Sequence, residues 1–174
     1  MEQLDLSKLD AAKRQLEVAI KLYFNFDDPV SIHTLTAAAY NVLKDINKNR
    51  GNDPVYIKEW FPKHMIRQEK QKEFKILQNQ AENFFKHAEK DPGAILFFRP
   101  SQTDFLLWET GSLYQRLTGE ATPLIRLYRG WFIFHHIDYF ELPDDDKNKY
   151  EHMRDIFSDR GKYFNELLEV AFKL

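Results

Sequence analysis

The sequence predicts an all-α protein, a single-domain bundle of five to seven helices that spans residues 1–174. Apolar residues recur every three or four positions through most of the chain, as in Leu16, Ile20 and Tyr23. No segment sustains the alternation of apolar and polar residues that is typical of a half-buried strand. With 174 residues, of which 43% are hydrophobic, the chain is long enough to bury one core.

Capping residues and turn formers place the first two helices. Ser7 followed by Asp10 is typical of a capping box, so the first helix is expected over about 7–26. Pro29 suits the first turn of the second helix, which should end before Gly51.

The middle of the chain predicts one long helix between less regular segments. A loop with a short helix is expected over 52–62. A third helix should follow over about 66–90, closed by the turn at 91–93. The apolar segment 94–98 is too short for periodicity to classify, so a strand and an irregular core segment remain alternatives.

The last third of the chain predicts three further helices. A fourth helix is expected over 101–119, and a fifth, apolar on nearly every side, should run from Thr122 to Pro143 through the core. The amphipathic segment 144–171 predicts the final helix, with an interruption at Gly161.

Composition narrows the function classes. The chain has no cysteine, which excludes disulfides and thiolate chemistry. Its 25 basic and 27 acidic residues give a net charge of −2, which does not indicate general nucleic-acid binding. The longest apolar stretch, 124–142, carries too many charged and histidine side chains for a membrane span. The N-terminus lacks a secretory signal pattern, so we expect a cytoplasmic protein without membrane contact.

The segment 83–91 holds the strongest candidate site. Asn83, His87 and Asp91 recur every four residues, which on a helix places them along one edge of an apolar face. Together with Lys86 and His33 they form the predicted ligand-binding set. The alternative is that these groups cap the end of the third helix and bind the following loop.

Two histidines of this predicted site could also take part in catalysis or bind a metal ion. His87 and His33 are candidate catalytic residues, since imidazole acts as acid, base or metal ligand near neutral pH. His33, His87 and Asp91 are also a candidate metal site if two helices bring them together. A buried, hydrogen-bonded His33 is the simpler interpretation. The residues identify no cofactor.

A second candidate lies on the fifth helix. Arg129 and His136 are seven residues apart, with Arg126 one turn earlier, so cations and an imidazole share one side of the helix. Such a set suits a phosphate or an oxyanion, although ion pairs with a neighbouring helix would explain the arginines equally well.

Two segments resemble a known family. Ser31-Ile32-His33-Thr34-Leu35 and the run from Asn83 to Pro92 are similar to signatures of a bacterial family of small helical proteins, over much of residues 7–130. No activity accompanies this resemblance. It focuses attention on His33, Asn83, Lys86, His87 and Asp91.

Short motifs also resemble those of HEPN domains, helical bundles that include ribonucleases with an arginine, a polar residue, spacers and a histidine. The first such motif ends at His87 and contains Asn83, but Glu82 occupies the position of the arginine. The second runs from Arg129 to His136, with Gly130 at the position of the polar residue. The resemblance implies a metal-independent endoribonuclease, assembled across a dimer, with Arg129 or Lys86 as the phosphate-binding cation.

Three functional hypotheses follow from the sequence. The first is a cytoplasmic binding or regulatory protein that forms homo-oligomers and uses the polar site of the third helix. The second is the HEPN-like endoribonuclease, the one hypothesis that includes RNA as a partner. The third is a metal-binding protein that uses histidine and carboxylate ligands.

Overall fold

The part of the chain that the structure describes contains eight α-helices. The prediction of an all-α protein is confirmed, with one helix more than the upper limit expected. A computed structural model describes residues 3–141 and 143–173, and no strand occurs within them. The helices are α1 (Lys8–Phe24), α2 (Pro29–Asn49), α3 (Phe61–Met65), α4 (Gln71–Lys86), α5 (Gln102–Thr118), α6 (Pro123–His135), α7 (Asp144–Ile156) and α8 (Arg160–Lys173).

The helix starts follow the capping chemistry of the sequence. The predicted capping box is present in α1: Asp10 N donates to Ser7 Oγ at 3.1 Å, and Ser7 N donates to Asp10 Oδ2 at 3.1 Å. Pro29 opens α2 after an Asp28 cap, and Pro123 opens α6 after a Thr122 cap. Local signals therefore fix these starts to within one or two residues.

Helices α1, α2, α5 and α6 make the centre of the bundle. Helix α2 packs between α1 and α5, while α6 packs against α1, α5 and α8. Ala37, Ala39 and Tyr40 of α2 are fully buried, so both faces of that helix are covered. Aromatic rings fill much of the core, and the ring of Phe24 stacks on Phe164 with centroids 4.8 Å apart.

The third predicted helix is shorter than expected. A 3-10 turn at Gln68–Lys70 leads into α4, which ends at Lys86 because His87 adopts an extended backbone with φ −134° and ψ 131°. The chain then runs without regular structure to residue 100. This course brings Phe98 against the ring of Phe85, with centroids 5.2 Å apart. Tertiary packing thus outweighs the helical pattern after Lys86.

Two later boundaries also differ from the prediction. Helix α6 ends at His135, and a 3-10 turn over Ile137–Tyr139 replaces its expected last turns. The final segment is interrupted at 157–159 rather than at Gly161, because the Asp159 carboxylate accepts a hydrogen bond from Lys162 N at 2.7 Å and starts α8.

The loop expected over 52–62 contains a π-helical turn. Tyr56–Trp60 form this turn, and α3 continues directly from it. Ile57 N in the turn donates to the buried Glu109 carboxylate of α5 at 2.9 Å. Burial raises the pKa of Glu109, and this backbone hydrogen bond opposes part of that effect.

Gly130 allows α6 and α8 to approach closely. A Cβ atom there would lie 2.9 Å from the Tyr163 hydroxyl, which donates to Leu127 O at 2.9 Å. We expect Gly130→Ala to lower the free energy of unfolding by about 1–3 kcal/mol despite the better helix propensity of alanine. Urea unfolding measures this change.

Tyr163→Phe provides the control for Gly130→Ala because it removes the hydroxyl that the new methyl group would meet. In that background the alanine should be neutral or stabilising. An equal loss in both backgrounds would contradict the close approach.

Candidate functional site

Three of the predicted ligand-binding residues line one groove. Asn83, His87 and Asp91 border a cavity of about 630 Å³ between α4 and the segment that follows it. We call this the α4 groove; its other lining residues are Ile76, Gln80, Phe84, Glu89, Lys90, Ala94, Ile95 and Leu96. His87 and Asp91 reach the groove from irregular backbone, so the expected helical alignment of the three residues is wrong.

The α4 groove is open and chemically mixed. Asn83, His87 and Asp91 are exposed, and Lys90 and Glu89 add one charge of each sign. Apolar side chains of Ile76, Phe84 and Ile95 form much of the remaining wall. Such a groove suits docking of an apolar chain segment that carries polar groups at its edge.

His33 does not line the α4 groove. It is 4% exposed, and its Nδ1 shares a hydrogen bond of 2.9 Å with Thr103 Oγ1. The rings of Phe85 and Phe98 pack edge-on against the imidazole at 5.8 and 5.3 Å. Burial and the positive charge of Lys58 lower the pKa of His33 to about 4, so its ring is neutral at pH 7. His33 therefore packs, from the core, against Phe98 in the segment that follows α4.

Lys86 belongs to a buried charge cluster centred on Glu82. The Glu82 carboxylate accepts hydrogen bonds from Lys86 Nζ at 2.8 Å, Lys58 Nζ at 2.9 Å and Asn41 Nδ2. Burial alone would raise the pKa of Glu82, but the two lysines outweigh it and lower that pKa to about 2. Lys86 therefore neutralises a carboxylate within the chain.

The candidate metal ligands do not form a cluster. Across residues 3–141 and 143–173, no group of three or more histidine or carboxylate side chains lies close enough to hold a metal ion. His33 lies in the core, whereas His87 and Asp91 are exposed in the α4 groove.

The two arginines of α6 and His136 have separate partners. Arg129 Nη1 donates to Gln115 Oε1. Arg126 donates to Ala171 O at 2.7 Å and to Ala121 O. His136 lies beyond the end of α6 and faces the Asp104 carboxylate, with Nε2 and Oδ2 3.8 Å apart. The set of two cations and an imidazole expected on one helix side is thus divided.

Sequence reasoning missed a cleft at the junction of α1, α5, α6 and α8. Two adjacent cavities of about 390 and 410 Å³ share four lining residues, Tyr23, Phe26, Asp104 and Arg160. We call them together the Arg160 cleft. The Arg160 guanidinium carbon lies 4.5 Å from the centre of the Tyr23 ring and 3.9 Å from that of Phe26.

No sequence signal identifies the Arg160 cleft, because its residues come from four distant segments without fixed spacing. In the sequence, Asp104 lies in the first turn of a predicted helix, and Arg160 lies within the amphipathic segment 144–171. The backbone of Phe26 is the unusual local feature: its φ of 57° is left-handed, which is strained for a bulky residue. Such strain appears only in the folded chain.

Aromatic residues line a third depression. Trp60 stacks on Tyr56 and on His64, with centroids 5.2 and 4.6 Å apart. Tyr56 and Trp60 border a cavity of about 320 Å³ with Trp108 and Arg116, whereas Trp131 is buried and borders the Arg160 cleft.

Comparisons with known proteins provide no assignment. The chain matches no protein-family model, no curated protein and no solved structure. None of the helices within residues 3–141 and 143–173 is long and apolar enough to cross a membrane. Functional inference therefore depends on the geometry of the chain itself.

The neutral His33 should make stability depend on pH. The folded pKa of about 4 lies below the unfolded value near 6.5, so the unfolded chain binds a proton in this interval that the folded chain does not. Stability should therefore fall as pH drops from 6.5 to 4, by up to about 3 kcal/mol from this residue. Urea unfolding at several pH values measures the loss.

His33→Asn isolates this contribution, because asparagine keeps a polar group near Thr103 but does not titrate. The variant should be less stable at pH 7 and should lose less stability on acidification. Identical pH slopes in both proteins would contradict a depressed pKa for His33.

Removing the negative charge of Glu82 should destabilise the fold. In Glu82→Gln, Lys58 keeps a buried ammonium group without a counter-charge, so we expect a loss of about 3–5 kcal/mol. Glu73→Gln is the matched control, because Glu73 pairs with Lys70 on the exposed side of the same helix. The control should change the free energy of unfolding by less than about 0.5 kcal/mol. Similar losses in both variants would contradict the central position of Glu82.

Proposed function

We propose that this protein is a self-associating binding protein in which two copies pair through the α4 groove and the apolar side chains beside it. One observation carries the proposal: large apolar residues remain exposed along α4 and the segment that follows. Ile76 is 61%, Leu77 56%, Ile95 85% and Phe97 95% exposed. Single exposed apolar residues are common, whereas a cluster of them is typical of an interaction surface.

Helix α4 carries apolar residues on two sides. Its inner side packs against α2 and α3 through residues that include Phe74, Ala81 and Phe85. Leu77 and Phe84 lie on the outer side, and Ile76 and Phe84 reach the groove itself. An amphipathic helix with one core face needs no second apolar face. The outer face therefore supports contact with another protein surface.

Charge distribution supports a second copy of this chain as the occupant. Lys90 lies beside Glu89 and Asp91 along the groove. In a two-fold symmetric dimer the same patch meets itself, so Lys90 of each copy can face Glu89 or Asp91 of the other. A patch with both signs is self-complementary, whereas a patch of one sign would repel its copy.

The polar residues of the site then set the geometry of pairing. Asn83 offers both a donor and an acceptor, and His87 and Asp91 can exchange hydrogen bonds across the interface. Their exposure suits a polar rim around apolar contacts, the usual arrangement of protein interfaces. We therefore propose the first of the three hypotheses, a binding protein that forms homo-oligomers, with its site on the surface where two copies meet.

The geometry supports RNA cleavage less well. Lys86 is bound to Glu82, and Arg129 is bound to Gln115. Each proposed phosphate-binding cation therefore already contacts an acceptor in the chain.

Introducing a charge on α4 tests the proposal. The wild-type protein should show a mass near twice the 20.8 kDa of one chain by sedimentation equilibrium at micromolar concentration. Leu77→Glu should shift the population to monomer and raise the dissociation constant at least about tenfold, because dimerisation would bury an unpaired carboxylate.

Val18→Glu is the matched control for Leu77→Glu. Val18 is a half-exposed apolar residue on α1, outside the groove, and the substitution introduces the same charge. This variant should remain dimeric. A monomeric wild type, or equal dissociation of both variants, would overturn the proposal.

A further inference from the structure

We propose that the Arg160 cleft binds a small zwitterionic ligand of the α-amino acid class, with the Arg160 guanidinium on its carboxylate and the Asp104 carboxylate on its ammonium group. This site is separate from the α4 groove, and the inference does not depend on self-association. The argument begins with two opposite charges that share one cleft but do not neutralise each other.

The Arg160 guanidinium has no carboxylate partner. Within residues 3–141 and 143–173, no carboxylate oxygen lies within 4.0 Å of it, and its Nε is buried without a hydrogen-bond acceptor. The rings of Tyr23 and Phe26 lie against it and restrict its orientation. Arg160 lines both cavities, and a planar carboxylate bound there would accept two of its N–H groups.

The Asp104 carboxylate is the complementary charge. Its side chain is 17% exposed, and the nearest basic group is His136 at 3.8 Å, beyond hydrogen-bond distance. Tyr23 lines both cavities together with Asp104 and Arg160, and both charges act on it: burial and Asp104 raise the pKa of Tyr23, while Arg160 lowers it in part. Both charges are therefore close enough to the same phenol to act on one small ligand in the cleft.

The charge balance favours a zwitterion over a simple anion. Asp27 and Asp159 also border the cleft, and Asp159 is bound to Lys162 N at the start of α8. A ligand with only negative charge would be attracted by the Arg160 guanidinium but repelled by these carboxylates. A ligand that carries an ammonium group next to its carboxylate satisfies both signs at once.

The walls of the cleft suit an apolar side chain. Tyr23, Phe26 and Trp131 line it, and each of its two cavities falls within the range of about 300–1,000 Å³ typical of small-molecule sites. Phe26, whose backbone is strained, places its ring against the Arg160 guanidinium. Strained residues that persist in a fold cluster at ligand-binding positions. We therefore assign an amino acid with an aromatic or large aliphatic side chain.

Binding of L-phenylalanine and L-leucine to the purified full chain, measured by calorimetry, tests the inference. 3-Phenylpropionate lacks the ammonium group and phenethylamine lacks the carboxylate, so each should bind at least about tenfold more weakly than L-phenylalanine. Arg160→Gln and Asp104→Asn should each weaken L-phenylalanine binding by a similar factor. Arg67→Gln and Asp145→Asn, exposed substitutions outside the cleft, should leave it unchanged.

Pairing each analogue with each variant identifies the charges involved. Asp104→Asn should not weaken 3-phenylpropionate further, and Arg160→Gln should not weaken phenethylamine further, because each analogue already lacks the affected contact. Should Arg160→Gln fail to fold, Asp104→Asn and the two analogues still decide the matter. Absence of heat with both amino acids up to millimolar concentration, or equal binding of 3-phenylpropionate and L-phenylalanine, would overturn the inference.

Discussion

The buried carboxylate of Glu82 is the constraint that fixes the orientation of α4 and, with it, the surface beside the α4 groove. It joins Asn41 of α2, Lys58 of the π-helical turn and Lys86 of α4 into one cluster. A buried carboxylate is tolerated only with its partners in place, so the rotation of α4 about its axis is fixed. At about 100° per residue, Leu77 and Phe84 then lie roughly 140–160° from Glu82, which places them on the outer side. The exposure of these two side chains thus follows from the burial of the charge.

The segment after α4 depends on a second buried group, His33. Phe98 contacts both the imidazole and Phe85, and the neutral imidazole is held by Thr103. A charged imidazole would be costly among these rings, which accords with the direction of its pKa. The two histidines thus have different positions in the same region. His33 is buried and packs against the irregular segment, whereas His87 is exposed in the α4 groove.

Most of the fold could be predicted from sequence because its signals are local. The capping box of Ser7 and the prolines at 29 and 123 mark helix starts within a few residues of the bonds they make. The end of α4 could not be predicted in this way. The helical pattern continues past Lys86, and the competing contacts of Phe98, with Phe85 and His33, join residues at least 13 positions apart. The Arg160 cleft is hidden for the same reason, since its charges are 56 residues apart in the chain and meet only through helix packing.

Local rules of protein structure are broken at both surfaces that carry the functional proposals. Along α4, apolar side chains remain in solvent on a helix whose core face is already complete. In the Arg160 cleft, a left-handed phenylalanine, a guanidinium and a carboxylate remain together without mutual neutralisation. Each feature lowers the free energy of unfolding of the isolated chain. The packed core around Phe24, Tyr40 and Phe132 supplies the stability that offsets this loss. A bound partner would cover the apolar side chains at the first surface, and a zwitterion would pair both charges at the second.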